Sequence, residues 1–455
     1  MSKTMNNQVR VSAASALALL LTFTTAAASD ASAEVARHLG VASCAASLCH
    51  GSAKPGDVYA VAQNEYVTWS HFDPHARAYR ALTEERGAAI ARRLGLPNAY
   101  EARVCLDCHA DNVAPAARGP RFQLSDGVGC ESCHGASVSW IATHDDAPAV
   151  THADSLARGL RALEQPRVRA EVCLDCHVGS DAQFATHRMM AAGHPRLAFE
   201  LETFTELWRT SGGREHYRVD ADYLARKGVG KDGVRKEIVA PSAVWSAGLF
   251  ATVGRKLELL NGPRFNRSSL LPEFALFNCY SCHQSMRLKR WQDKGAGESQ
   301  PGSLKFDDGG LRMLEAFLGA ARPGGSADEL RERMHAWQQA AGGDRERVAA
   351  ATTDLRRFVS EQQLKLGGRG LNATEAHAAL RHIAAAAARG DYSDYASAEQ
   401  AAMGIVLLLV QTGGSSVREP AVNDLFLALT DDDQYDPARF REVLRRLDPR
   451  GSTSH

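Results

Sequence analysis

Every cysteine in this chain belongs to a pair, and the second cysteine of every pair is followed at once by histidine. The pairs are Cys44 and Cys49 before His50, Cys105 and Cys108 before His109, Cys130 and Cys133 before His134, Cys173 and Cys176 before His177, and Cys279 and Cys282 before His283. Four read C-x-x-C-H (CLDCH, CESCH, CLDCH, CYSCH), the attachment sequence for c-type haem. The spacing has a chemical reason. Two thiols form thioethers to the two vinyl groups on one porphyrin edge, and the adjacent histidine is then aimed under the iron as its proximal ligand. The ten cysteines are therefore expected to hold haem c covalently, and His50, His109, His134, His177 and His283 to bind iron.

The first pair, in SCAASLCH, has two extra intervening residues, so its loop must bulge outward while the sulfurs keep their separation. With four regular neighbours it is read as a fifth haem site. A Cys44–Cys49 disulfide in an oxidising compartment is the alternative. Zinc is the rival for any set of C-x-x-C pairs. Zinc does not call for a histidine after every second cysteine, and five pairs cannot combine two by two into four-cysteine sites.

The N-terminus carries Lys3 and Arg10, then an uncharged stretch from Val11 to Ala28, then Ala31-Ser32-Ala33. This pattern is that of a secretory signal peptide over residues 1–33, cleaved after Ala28 or Ala33, with an uncleaved anchor as the alternative. The expected destination is the periplasm or another exported location. The apolar run Ala401 to Val410 is too short to span a bilayer and reads as a buried helix, so no transmembrane segment is expected in the mature chain. Lysine plus arginine and aspartate plus glutamate both number 53, which gives no basic surface for nucleic acid.

What fills the sixth position of each iron separates an electron carrier from a catalyst. In TWSHFDPHARAYRAL, Asp73 is an N-cap and Pro74 the first helical position, which fixes His75 on the first turn. His75 is favoured over His71 as a ligand. His144 follows His134 too closely to cap the same haem and is expected to serve a neighbour. His187 and His194 are seven residues apart in ATHRMMAAGHPRLAFEL, with Gly193 and Pro195 biasing the end toward extended backbone, and are expected to serve different haems. His216 completes the distal candidates. Met189, Met190 and Met286 are read as core filler.

The succession DPHARAY, CLDCH, GVGCESCHG, CLDCH and MMAAGHPRLAFEL resembles the multihaem cytochromes c related to cytochrome c-554. The later PEFALFNCYSCH resembles a longer, pentahaem branch. The resemblance runs from about Val41 to Trp291. It implies a haem-packed, mostly helical domain with little regular sheet, close haems passing single electrons, and His75, His144, His187, His194 and His216 as distal ligands. Branch members often have a second histidine after the fifth motif, whereas Gln284 follows His283 here. The related tetrahaem protein has one haem without a sixth ligand.

Beyond Gln300 there is no cysteine. Ser326 and Glu329 suggest a capping box, and Val348, Thr352, Leu355 and Val359 mark a helix after Asp344. Further helices fit Thr374 to Ala388, Ser397 to Thr412 and Pro437 to Leu447. The chain is thus expected to be mainly α: a signal peptide (1–33), a pentahaem cytochrome c domain (34–299) and a C-terminal helical bundle (300–455) that covers haem edges or docks a partner. Three functions stay open. One is an electron relay between redox proteins, including a membrane-bound or surface complex, with no catalytic residues. Another is an oxidoreductase acting on a small nitrogen or sulfur compound at an open haem. A structural conduit within a larger assembly is a third.

Overall fold

The computed structural model describes residues 36–54, 61–145, 149–210, 237–266, 272–283, 303–322, 324–412, 420–432 and 434–447. The expected signal segment, His216, Gln284 and Met286 lie outside them. The architecture is α-helical. Among the described residues, extended pairing is confined to two isolated bridges, His38 with Arg118 and Phe277 with Phe306.

The first part consists of short helices joined by loops: α1 (Glu65–Phe72), α2 (Ala78–Thr83), α3 (Glu85–Leu94), α4 (Arg103–His109), α5 (Cys130–His134), α6 (His152–Ala157), α7 (Pro166–His177), α8 (His187–Ala191) and α9 (Leu201–Thr210). Helices α4, α5 and α7 each end on the histidine of a C-x-x-C-H motif. A helical turn puts the two cysteines, three residues apart, on one face. Asp73 caps as its sequence suggests, accepting from the His75 amide at 2.9 Å, but the turn it opens is a 3₁₀ segment, Pro74–Arg77, that leads into α2.

Longer helices follow: α10 (Pro241–Asn261), α11 (Pro263–Asn266), α12 (Gly309–Ala321), α13 (Ser326–Ala340), α14 (Arg345–Leu366), α15 (Ala373–Arg389), α16 (Tyr395–Gln411), α17 (Pro420–Leu427) and α18 (Pro437–Leu447). Asp344 caps α14 as expected, accepting from the Arg347 amide. Ser326 does not cap α13. Gly325, at φ 104°, turns the chain one residue earlier, so Ser326 is already helical. The capping box belongs instead to α15, between Asn372 and Glu375.

Apolar burial is unevenly divided. One cluster, including Trp245, Phe250, Phe306, Phe317, Trp337, Leu355, Tyr435 and Phe440, runs through α10 and α12 to α18. Among the short N-terminal helices the clusters are slight: Leu82, Ala91, Ala99, Cys105, Leu106 and Ala110 in one, Ala170, Leu174, Phe199, Leu201 and Val244 in the other. Helix α10 is buried without a break from Ser242 to Phe250, as a helix packed on all sides must be. It touches α7 and α9 on the motif-bearing side and α12, α14 and α16 on the other. Ser242 Oγ accepts from the Leu371 amide at 2.9 Å, and Ser246 Oγ donates to Arg369 O at 3.0 Å, so the hydroxyls within this apolar helix are satisfied.

The fifth motif is tied to the large core by aromatic stacking. Phe277 lies two residues before Cys279, its ring 4.8 Å from that of Phe306, which stacks at 4.6 Å on Trp337. The Trp337 indole N–H donates to Thr352 Oγ1 at 3.1 Å. Phe306 is fully buried. Phe306→Ala is expected to cost about 3–5 kcal/mol, measured as a drop in the denaturant midpoint. A cost below about 1 kcal/mol would show that the stack does not carry load between the two parts.

Candidate functional site

The histidines singled out by sequence meet in pairs. His50 faces His144 with ring centroids 6.2 Å apart, His75 faces His177 at 6.1 Å, His109 faces His194 at 6.4 Å, and His187 faces His283 at 6.2 Å. Each pair joins the histidine of one motif to one distal candidate, and no residue is used twice. An imidazole nitrogen lies about 2.0 Å from the metal it binds, so two imidazoles on opposite sides of one ion place their centroids about 6.2 Å apart. Direct van der Waals stacking would bring the rings closer, and unrelated histidines would scatter. The donor set therefore fits four six-coordinate irons.

The second ring nitrogen supports the same use. His50 Nδ1 bonds Glu65 Oε2 at 2.9 Å and His75 Nδ1 bonds Asp73 Oδ1 at 2.9 Å. The Nδ1 atoms of His109, His144 and His194 donate to the carbonyls of Ala78, Ile141 and Pro195 at 2.9, 2.7 and 2.8 Å. An imidazole whose Nδ1–H is occupied presents Nε2 to a metal, the usual arrangement of ligating histidines. Such a bond alone is not diagnostic, since His377 makes one to Ala373 O within α15. Burial holds His177 neutral, its pKa pulled down to about 4, with His75 beside it acting in the same direction.

The remaining described histidines of this part belong to none of these four pairs. His38 Nδ1 is 2.6 Å from Asp111 Oδ2, His71 is exposed, and exposed His152 reaches Glu164 at 3.4 Å. His134 closes α5 ahead of the Gly135 turn. His216 lies outside the described residues.

The cysteines of different motifs also converge. Cys44 lies beside Cys130 and Cys108 beside Cys176, and in each case the neighbouring thiol holds the first one's pKa below the ordinary thiol range. Cys133 feels the charges of Cys173 and Cys176. Burial pushes Cys133 up to about 12 and Cys173 up to about 11, so both are neutral thiols at neutral pH. Among the described residues no cysteine joins a group of three or more metal-ligating side chains; the one such group is His38, Asp111 and Glu131.

That group is a hydrogen-bonded latch. Glu131, inside the third motif, is 3% exposed. Its carboxylate accepts from the amides of Leu39, Gly40 and Ser137 and from Ser137 Oγ, and so carries as many donors as it has lone-pair sites. Sequence reasoning passed over it, because a glutamate between two motif cysteines looks like any other until its partners are known. Gly127 is another such feature. At φ +77°, a Cβ there would lie 2.6 Å from His75 O, and the next residue, Val128, donates its amide to that carbonyl at 3.1 Å. Glycine lets the segment before the third motif press on the turn that holds His75.

Apolar side chains left at the surface border the same motifs. Leu48 precedes Cys49 and is 79% exposed, Val104 precedes Cys105 and is 46% exposed. Phe204 is 6.3 Å from the His177 ring. Such surface is costly in water and suits an apolar macrocycle. Among the described residues no helix is long and apolar enough to cross a membrane.

No curated protein and no solved structure matches the chain. Residues 30–135, which span the first three motifs, match the family model for cytochrome c554 and c-prime, and this relation to the cytochrome c554 family marks the chain as a c-type cytochrome, binding haem c and working in electron transfer.

Proposed function

We propose that this chain is an exported pentahaem cytochrome of the longer branch, relaying single electrons between redox proteins. The observation that carries the reading is the set of four histidine pairs, each one metal's width apart. Haem c, when bound, supplies reversible one-electron chemistry. The ten motif cysteines anchor it. His50, His109, His177 and His283 serve as proximal ligands, opposed by His144, His194, His75 and His187. His134 is the fifth proximal ligand. Histidine on both faces leaves those irons no open position, which favours relay over catalysis.

We read the order of the relay from the neighbouring cysteines of different motifs. Cys44 meets Cys130, Cys133 neighbours Cys173 and Cys176, and Cys176 meets Cys108. The series is therefore motif 1, 3, 4, 2. Motif 5 joins beyond motif 2, because His187 and His194 stand on one short arm. Residues 34–299 form the haem-bearing part and residues 300–455 its helical brace. The signal pattern in residues 1–33 supports export of the mature chain to the periplasm or outside the cell.

Intact mass spectrometry of the mature holoprotein is expected to give the polypeptide plus five haems. A mass of four haems, with Cys44 and Cys49 two hydrogens lighter, would sink the first site. Low-temperature EPR of the oxidised protein tests the pairing itself. His75/His177 and His109/His194 have ring planes at 85° and 88°, whereas His50/His144 and His187/His283 lie at 19° and 38°. Crossed imidazole planes yield large-g-max low-spin signals and near-parallel planes yield rhombic ones, so both types are expected, two irons of each. A single type, or mostly high-spin iron, would overturn the assignment.

A further inference from the structure

His194 stands on a segment with little to hold it. Helix α8 has only five residues, and it ends in a turn at Ala192 and Gly193. The chain then runs without regular structure to α9. Helix α3 grips this turn. Arg86 donates through Nε and Nη2 to Gly193 O at 3.3 and 3.0 Å, and Arg93 Nη1 donates to Ala192 O at 2.9 Å. In the other direction Arg188, on α8, donates Nη2 to Leu94 O at 3.1 Å. Each helix thus has carbonyls at its C-terminal end, which lack intrahelical partners, capped by an arginine of the other.

The local sequence suits this contact. Gly193 has φ +109°, and a Cβ there would fall 3.0 Å from Arg93 Nη1. A larger residue would strain the turn and crowd the guanidinium. His194 comes next, its amide bonded to Met189 O at 3.0 Å and its ring facing His109. Helix α3 packs on α2, which packs on α4, and His109 at the end of α4 is itself oriented by Ala78 O in α2. One frame, α2 with α3, therefore orients both rings of this pair, through a carbonyl on one side and two guanidinium groups on the other.

We propose that Arg86 and Arg93 are positioning residues that hold His194 opposite His109, an inference that rests on reading those two histidines as ligands of one iron. The guanidinium fork suits the task, since it fixes direction as well as distance. Released from it, the turn can carry His194 away from the metal, and the iron behind His109 loses its sixth ligand for part of the time.

The test uses the full-length holoprotein, with haem content matched by mass, and reads carbon monoxide bound per chain in the reduced state, because CO takes only an open or weakly held position. Arg86→Ala/Arg93→Ala is expected to bind up to one equivalent more than the unsubstituted protein and to lose intensity in one large-g-max EPR signal. Arg86→Lys/Arg93→Lys is expected to recover part of both. Arg93→Ala alone serves where the double variant fails to mature. His194→Ala is made in parallel. If it gains CO binding while the arginine variants do not, the positioning role is wrong and the ligand assignment stands. If His194→Ala gains none, the ligand assignment fails and the positioning role with it.

Discussion

Two imidazoles facing each other across the width of one metal ion are the constraint around which the N-terminal part of this chain is arranged. Among its described residues the apolar clusters are small, built of alanines and leucines in equal number with Cys105, Val244 and Phe199. Short helices with so little to bury are marginal by themselves. What they do have is a set of fixed points, each motif ending a helix or turn and each distal histidine brought to it from elsewhere in the chain. Metal ligation and covalent attachment can supply the cohesion that side-chain packing lacks, as they do in other small metal-dependent domains. The exposed Leu48, Val104 and Phe204 beside those motifs fit the same account, because the surface they present suits a macrocycle.

The C-terminal helices solve the opposite problem. They carry a continuous core and spend part of it on the motif-bearing side. Helix α10 is shared between the two, the Phe277–Phe306–Trp337 stack reaches to the fifth motif, and Arg196 pairs with Glu399 of α16 at 2.8 Å. Gln400 donates to Phe199 O at 3.3 Å. These ties fall on the segment between His194 and α9, which has no regular structure, and beside the turn bearing Cys279. A brace explains why a bundle without motifs packs on this part through buried side chains.

Much of this is legible in the sequence because the attachment chemistry is local. Cysteine, cysteine and histidine must lie within one turn, so spacing alone identifies them. The distal histidines are legible as candidates for a similar reason: Asp73-Pro74 fixes His75, and Gly193-Pro195 separates His194 from His187. Their pairing is not legible. It joins His50 to His144 and His75 to His177 over long stretches of chain, and only tertiary packing decides it. The supporting residues were invisible for the same reason, since Glu65, Glu131 and Arg93 look like ordinary surface charges until their partners are known. Among the helices, the strongly periodic ones were readable, α18 to its exact bounds, whereas α12 starts on Gly309-Gly310 against its propensity and is made helical by burial.

The arm from Thr186 to Phe199 gives this arrangement its asymmetry. In the proposed relay, motifs 1, 3, 4 and 2 have cysteines that neighbour one another. Site 5 is linked to site 2 through the backbone of the arm, whose one end is fixed where Glu273 accepts from the His187 amide at 2.8 Å and whose centre is fixed by the α3 arginines. Glu273 precedes the fifth motif and α3 is part of the frame of the second. A shift of the arm would therefore disturb two distal ligands together, while a shift in any of the other loops would disturb one. The brace acts on this arm through Glu399 and Gln400, so in the proposed relay the helical part bears on the end where the fifth motif lies.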